Sequence, residues 1–388
     1  MKGHLRQFIQ SGTASGILLI LSTLLALVLA NSSAQGIYRT LVYCPIGITL
    51  AGWHWQHSLL WWVNDGFMTL FFLLVGVEIK RELQIGALST RQQALLPALA
   101  ALGGMLFPAL IYYGFNANDP IARAGWAIPI ATDIAFSLGM LALLGKRVPP
   151  VLKIFLLALA IVDDLGAIII ITLFYSHPIA WLPFSLSLAL LLGLILLNRY
   201  QVTHLSLYLL LGTMLWKSLL HSGIHASLAG FAIGLILPVK LAHVSVKSGP
   251  AHRLEQALHP WITYGVLPLF AFTNAGVTLQ GFSSVLSKLT LSLGVALGLL
   301  IGKPLGIFSF SWLAIKLRWA QLPTGVRFYE LFGVSVLCGI GFTMSLYITT
   351  LAFESQALVY IDYARVAILL GSTLAAVIGY ALLRRRRH

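Results

Sequence analysis

The stretch KIFLLALAIVDDLGAIIIITLFY, residues 153–175, decides the fold class. It is a mostly apolar run in which two adjacent acids, Asp163 and Asp164, stand near the middle. A helix that crosses the hydrocarbon of a bilayer needs about 20 mostly apolar residues. The stretch therefore predicts a transmembrane helix with two carboxylates at mid-membrane depth.

The whole chain has the composition of a membrane protein. Of its 388 residues 59% are hydrophobic and 9% are charged, and the mean hydropathy is +0.90. A soluble domain is about 25% charged, so soluble, disordered, fibrous and disulfide-scaffold classes are excluded. We predict one all-α polytopic membrane domain over residues 1–388, with about 12 transmembrane helices. Its apolar runs lie at about 12–30, 59–79, 95–115, 126–144, 151–174, 180–197, 204–220, 222–237, 257–276, 290–315, 327–351 and 359–383.

Two connections and the first span complete the organisation. Alternation in ITLAGWHW predicts a small β-hairpin within 31–58, and the charged, proline-containing stretch 238–256 links two helical groups. Val28-Leu29-Ala30 resembles a signal-peptidase site, whereas the 19-residue run and basic N-terminus favour a retained helix; both readings stay open.

The basic residues predict orientation. The net charge of +14 would suggest nucleic acid in a soluble protein, but in a membrane protein basic residues mark cytoplasmic loops. With twelve spans, about 19 of the 25 basic residues fall on the side of the N-terminus and about 5 on the other. Both termini are thus predicted in the cytoplasm, with no nucleic-acid partner. The two cysteines, Cys44 and Cys338, have no metal or redox spacing.

Four ionisable residues lie at membrane depth. Counted from the starts of their spans at about 1.5 Å per residue, Asp133, Asp163, Asp164 and Lys303 fall about 10–20 Å deep, in one layer. Such groups cost several kcal/mol and usually mark an ion pathway. Adjacent carboxylates repel, and a small hard cation competes with protons for such oxygens. The alternative is a structural salt bridge with Lys303, although three acids and one lysine leave carboxylates over.

Two spans are predicted to be interrupted. Pro129 and the Ala-Thr-Asp triplet break 126–144, and Gly339 and Gly341 break 327–351. Interrupted spans in corresponding halves indicate a transporter's binding site. Asp133 would offset the positive half-helix ends and Lys303 the negative ones. The alternative is an ordinary proline kink.

Other charged residues sit near span ends. The alternatives for them are a solvated helix end, or a cytoplasmic funnel that collects cations and responds to pH. A histidine in HSGIHASLAG either titrates near neutral pH or packs with a hydrogen bond. These residues are Glu78, Lys80, Arg81, Glu82, Arg253, Glu255 and His225.

Seven strings give the chain a resemblance to the bacterial NhaA-type Na+/H+ antiporters over nearly its whole length. They place the intramembrane acids and the lysine in that family's order. The strings are LLWWVNDGFMTLFFLLVGVEIKREL, GWAIPIATDIAFSLG, KIFLLALAIVDDLGAIIIITLFY, SGIHASLAG, LHPWITYGVLPLFAFTNAGV, LLIGKPLGI and LCGIGFTMSL.

The resemblance implies a multi-pass bacterial inner-membrane protein with inverted repeats at about 95–174 and 290–383. It implies that Asp163 and Asp164 are the exchange site and transiently hold the transported Na+. Asp133 and Thr132 would lie where the broken helices cross, and Lys303 would neutralise that assembly. It further implies homodimers formed through the 31–58 hairpin. Glu78, Glu82, Arg253 and Glu255 match the family's cytoplasmic pH-response region, and His225, which matches the family's histidine, is also assigned to the pH response.

The resulting hypothesis is electrogenic, pH-regulated secondary exchange of cytoplasmic Na+ (or Li+) for external protons, serving Na+ and pH homeostasis without a cofactor. No Gly-rich phosphate loop is apparent, so the sequence predicts no nucleotide. Two alternatives stay open at this point. One is a cation channel, and the other is an intramembrane aspartyl hydrolase that pairs Asp133 with Asp163.

Overall fold

The computed structural model describes residues 13–50, 53–239, 249–278, 288–353 and 358–385. The N-terminal basic segment (1–12), residues 240–248 of the predicted 238–256 link and residues 386–388 lie outside the described residues. Contacts divide the chain into two compact units. The first comprises Met1–Gln35, Ala87–Ala167 and Asn274–His388, and the second Gly36–Gly86 and Ile168–Thr273. The single transporter domain over 1–388 stays a prediction.

Helices form most of the described structure. A π-turn, Trp62–Phe67, lies near the start of α3, and another, Ile262–Val266, joins α11 to α12. The elements in chain order are α1 (Thr13–Ala30), α2 (Gln35–Val42), β1 (Pro45–Leu50), β2 (Trp53–Ser58), α3 (Leu59–Ile85), α4 (Arg91–Asn116), α5 (Pro120–Ile130), α6 (Ile134–Leu143), α7 (Pro150–Phe174), α8 (Trp181–Arg199), α9 (Leu205–Leu220), α10 (Ser227–Ile236), α11 (Pro250–Trp261), α12 (Leu267–Ala275), α13 (Leu289–Lys316), α14 (Phe328–Leu337), α15 (Phe342–Phe353) and α16 (Leu358–Arg384).

The apolar helices confirm a polytopic all-α membrane protein. Among the described residues, 6 helices are long and apolar enough to cross a bilayer by themselves: α3, α4, α7, α8, α13 and α16. Three bent pairs pass the same test, with bends of 119° between α1 and α2, 43° between α5 and α6, and 46° between α14 and α15. Each predicted apolar run coincides with one of these elements, with α9 or α10, or with the α11–α12 pair.

Both predicted interruptions are confirmed. The first break covers residues 131–133 between α5 and α6, and the second covers 338–341 between α14 and α15. The series α4, α5/α6, α7 and the series α13, α14/α15, α16 share one order, a long helix, a broken helix and another long helix. This order agrees with two repeats, whose inverted relation stays a prediction.

The first unit contains a very close helix crossing. A Cβ atom added to Gly103 of α4 would lie 2.2 Å from the carbonyl oxygen of Gly306, and one added to Gly306 of α13 would lie 2.0 Å from that of Gly103. Small residues let membrane helices approach in this way. Lys303 lies one turn before Gly306, so this crossing fixes the backbone from which its side chain extends.

The second unit packs α3 on α10 and carries the hairpin. A Cβ on Gly230 would lie 1.9 Å from the carbonyl oxygen of Thr69, so these helices also touch through their backbones. Strands β1 and β2 pair antiparallel, with Pro45 opposite Ser58. The small hairpin predicted within 31–58 is therefore confirmed.

A polar link at the starts of α5, α13 and α16 ties three chain segments of the first unit together. Asp119 Oδ1 caps α5 by accepting the N–H groups of Ile121 and Ala122 at 3.0 and 3.1 Å. Asp119 Oδ2 accepts from Lys288 Nζ at 2.9 Å and from the Tyr360 hydroxyl at 3.0 Å. Partial burial alone would raise the pKa of Asp119, but these hydrogen bonds hold that pKa at about 2, below its ordinary 3.8.

Replacing Asp119 with Asn should lower the free energy of unfolding by about 1–2 kcal/mol at pH 7, after allowance for partial exposure. Because the folded state favours the ionised carboxyl, this contribution is complete above pH 3.8 and is lost as the pH falls through about 2. Thermal unfolding in detergent between pH 7 and pH 2 measures it. Asp362→Asn is the control, since that carboxyl is 46% exposed and stands 3.6 Å from Arg365. A gap between wild type and Asp119→Asn that persisted unchanged at pH 2 would contradict the assignment.

Candidate functional site

Asp133 ends the first break and starts α6. Pro129 removes a backbone donor near the end of α5, and Ala131 and Asp133 are extended, with ψ of 151° and 103°. Asp133 Oδ1 accepts the N–H of Phe136 at 2.9 Å. The residue is therefore the N-cap of α6, placed where a helix leaves N–H groups unsatisfied.

The same carboxylate also caps the second broken helix. Asp133 Oδ2 accepts the N–H of Thr343 at 3.1 Å and its hydroxyl at 2.6 Å, in the first turn of α15. The Asp133 N–H donates to the carbonyl oxygen of Ile340 at 2.7 Å. One buried negative group thus faces the positive ends of two half-helices.

Lys303 lies at the C-terminal end of α5, where carbonyl oxygens lack helical partners. Its Nζ donates to the carbonyl oxygen of Ile130, the last residue of α5, and forms an ion pair with Asp163 Oδ2. Both side chains of the ion pair are fully buried. The sequence left open which aspartate pairs with Lys303, and the structure pairs it with Asp163.

Thr132 joins the aspartate to the second break. Its hydroxyl lies 2.7 Å from Asp163 Oδ2 and 3.1 Å from the carbonyl oxygen of Cys338, just beyond α14. The other oxygen, Asp163 Oδ1, is buried and accepts no hydrogen bond from the part of the chain that the structure describes. Asp164, the next residue, is 1% exposed.

Three serines, which the sequence analysis missed, complete the breaks. Ser372 Oγ of α16 accepts the N–H groups of Gly341 and Phe342, each at 3.2 Å. Ser345 and Ser137 donate to the carbonyl oxygens of Ile128 and Leu337 at 2.7 and 3.1 Å. Non-helical backbone at membrane depth requires such partners. Ser137 and Ser345 could have been found as hydroxyl residues that flank a predicted break. No such sequence signal marks Ser372.

The charges of this buried set do not balance. With every group ionised, Asp133, Asp163 and Asp164 carry three negative charges and Lys303 carries one positive charge. Uncompensated charge in a low-dielectric interior is costly, so the set favours the uptake of protons or of a small cation. Among the described residues, no group of three or more His, Cys, Asp or Glu side chains is arranged to hold a metal ion.

A second charged cluster lies in the other unit. Arg81 of α3 binds Glu82 Oε1 at 2.9 Å and forms an ion pair with Glu255 of α11. Glu78, one turn earlier in α3, is half-buried and interacts electrostatically with Arg81 and Glu255. Lys80 donates to the carbonyl oxygens of Ile236 and Leu237 at the end of α10, at 3.0 and 2.6 Å.

Two residues of the predicted pH-response set differ from this cluster. Arg253 is exposed. His225 precedes α10, whereas Lys80 contacts the far end of that helix, about 15 Å away along its axis. His225 Nε2 instead lies 2.7 Å from the carbonyl oxygen of Tyr175. The structure therefore groups Glu78, Glu82 and Glu255 but does not bring His225 to them.

Comparisons with known proteins agree over almost the whole chain. The sequence model of a family described as Na+/H+ antiporter 1 matches residues 6–383. The chain is 53% identical over 386 residues to the Na(+)/H(+) antiporter NhaA of Aeromonas hydrophila, covering 99% of this chain and 96% of that protein. It is 53% identical to the protein of the same name from Yersinia pseudotuberculosis and 52% identical to that from Yersinia pestis, covering 99% of this chain and 97% of each relative.

Replacing Ser372 with Ala should destabilise the second break, because the buried N–H groups of Gly341 and Phe342 lose their acceptor. An unsatisfied buried donor costs about 1–3 kcal/mol, measurable as a lower midpoint of thermal unfolding. Thr373→Ala is the matched control, since the neighbouring hydroxyl is exposed and donates to the carbonyl oxygen of Leu369 in its own helix. Equal effects of the two substitutions would show that Ser372 does not support the break.

Proposed function

Since the chain belongs to the Na+/H+ antiporter 1 family, we propose that its Asp163 and Asp164 bind Na+ (or Li+) and protons in alternation. The chain is a multi-pass membrane protein and a secondary transporter that exchanges Na+ for H+, not an enzyme. Membership of this family argues against the two alternative functions, a cation channel and an aspartyl hydrolase.

The observation that carries the proposal is the excess of buried carboxylates over Lys303. Protons compensate the excess in one state and a dehydrated cation does so in the other, because a hard cation binds the same oxygens. Asp163 Oδ1 accepts no hydrogen bond from any described residue, so it is open to an incoming ligand. Since proton and cation exclude each other, exchange is coupled without a nucleotide.

Lys303, Thr132 and Asp133 support this site rather than carry the ions. Lys303 and Thr132 orient Asp163 through one oxygen. Asp133 has both oxygens engaged in capping, which leaves it a role in assembly and charge compensation. A carboxylate held in this way presents its remaining oxygen in one fixed direction.

The exchange is proposed to be electrogenic and to extrude Na+ from the cytoplasm. Two protonatable carboxylates for each monovalent cation make the exchange electrogenic, so the membrane potential contributes to driving it. With both termini in the cytoplasm, as the basic loops support, the proton gradient across a bacterial inner membrane extrudes cytoplasmic Na+. The α4–α7 and α13–α16 series would be the inverted repeats whose rocking exposes the site to each side.

The β1–β2 hairpin is proposed as the dimer contact. It is a two-stranded sheet held to α3 and α9: Trp62 Nε1 donates to the carbonyl oxygen of Ile46 at 2.9 Å, and the Trp55 ring contacts those of Trp62 and Trp216. Its strand edges offer unpaired backbone groups that a second copy can extend. A homodimer would therefore stabilise the hairpin as well as the assembly.

A pH response is proposed for the charged cluster of the second unit. The groups that meet there are Glu78, Lys80, Arg81 and Glu82 of α3 and Glu255 of α11, with Arg253 nearby on α11. Three carboxylates that share Arg81 change their interactions when one of them gains a proton. His225, which lies elsewhere, would act separately on the end of α7.

Asp164→Asn and Asp163→Asn should each lower Na+-driven proton movement in proteoliposomes by more than about a hundredfold, since a lost buried charged ligand costs about 3 kcal/mol or more. A pH-sensitive dye inside the vesicles reports the flux, with and without an imposed membrane potential. Asp362→Asn, a half-exposed carboxylate on α16, should retain exchange. Normal coupled exchange by folded Asp164→Asn protein would refute the proposed site.

Glu255→Gln should move the pH at half-maximal exchange by about one unit or more, because Arg81 then loses one of its two ion pairs and keeps the one with Glu82. Activity against pH in the same vesicles measures this. Gln256→Ala alters the adjacent exposed residue of α11 and should leave the profile in place. If both variants match wild type, the cluster has no part in the pH response.

A further inference from the structure

A groove of about 480 Å³ lies on the first unit between α6 and the last turns of α16. It is separate from the buried carboxylates, and the exchange mechanism does not use it. Its volume is in the range of ligand sites, about 300–1,000 Å³. Its lining residues are Met140, Val377, Tyr380, Ala381, Arg384 and Arg385.

The groove is one regular face of α16. Val377, Tyr380, Ala381 and Arg384 follow the spacing i, i+3, i+4 and i+7, which places them on a single side of a helix. The other side of the same turns is packed on α14: a Cβ on Gly379 would lie 2.6 Å from the Leu337 side chain. Val377, in contrast, is 60% exposed.

The groove is apolar along most of its length and positively charged at one end. Met140, Val377 and Ala381 supply hydrocarbon, and none of the six lining residues is acidic. Arg384 and Arg385 stand where α16 ends, and the end of a membrane span lies at the water interface. Arginine binds phosphate oxygens through two parallel N–H groups, and a basic pocket at such a depth suits an anionic headgroup.

We propose that this groove binds one anionic phospholipid. Its phosphodiester bonds to Arg384 and Arg385, and an acyl chain lies along Val377, Ala381 and Met140. The bound lipid joins the end of α16 to α6, the half-helix that Asp133 caps. Anionic lipid therefore stabilises the broken-helix assembly from its surface.

The test uses the full-length protein in phosphatidylglycerol or in phosphatidylcholine of the same acyl chains. Native mass spectrometry should show phosphatidylglycerol retained in preference to phosphatidylcholine, and thermal unfolding should occur at a higher temperature with the anionic lipid. The double variant Arg384→Gln, Arg385→Gln should lose about thirtyfold in phosphatidylglycerol affinity, since each arginine near an anionic headgroup contributes about fivefold.

Two further variants keep the outcome decisive. Val377→Trp fills the apolar part of the groove from an exposed position and should weaken retention while both arginines remain. Arg318→Gln removes an exposed arginine just past the end of α13 and should retain phosphatidylglycerol as wild type does. Equal retention of the two lipids, equal losses in Arg318→Gln and the double variant, or full retention by Val377→Trp would overturn the proposal. Stabilisation by glycerol phosphate alone would identify a free-phosphate site instead.

Discussion

The hydrocarbon of a bilayer supplies no hydrogen bonds, and the rest of the first unit depends on how two broken helices meet that constraint. Asp133 satisfies donors at the starts of α6 and α15, while Lys303 and Thr132 satisfy carbonyls at the ends of α5 and α14. The charged and hydroxyl groups that make the breaks tolerable are also those that surround Asp163. Structural support and ion chemistry therefore share one set of residues.

Lys303 illustrates this sharing. It binds the carbonyl of Ile130 and the carboxylate of Asp163 at once, so a cation at Asp163 competes with the ammonium for one partner only. The carbonyl bond can persist while the ion pair changes. A buried lysine whose single partner is a carboxylate would be left without a partner when that carboxylate bound a cation. Lys303, in contrast, retains a hydrogen-bond acceptor.

The sequence predicted much of this because membrane depth makes charge conspicuous. Asp133, Asp163, Asp164 and Lys303 stood out because so few ionisable residues interrupt apolar runs, and Pro129, Gly339 and Gly341 located both breaks. Pairing was beyond reach, since Asp163 and Asp164 differ by one residue and only the helix rotation decides which faces Lys303. Ser372 was equally hidden: serine is common in membrane helices, and its contact with Gly341 is set by packing. His225 lies apart from Glu78 and Glu255, a placement that no sequence pattern indicated.

The close crossing of Gly103 and Gly306 has a mechanical consequence. Backbones that touch at glycines cannot slide past one another without a steric clash. We therefore expect α4 and α13 to move as one rigid body. The Cα atom of Lys303 is then fixed within that rigid body. Its ammonium follows Asp163 only as far as a four-carbon tether allows. The length of the Lys303 side chain thus limits how far the ion pair can move while it stays intact. Any larger displacement must come from the broken helices themselves.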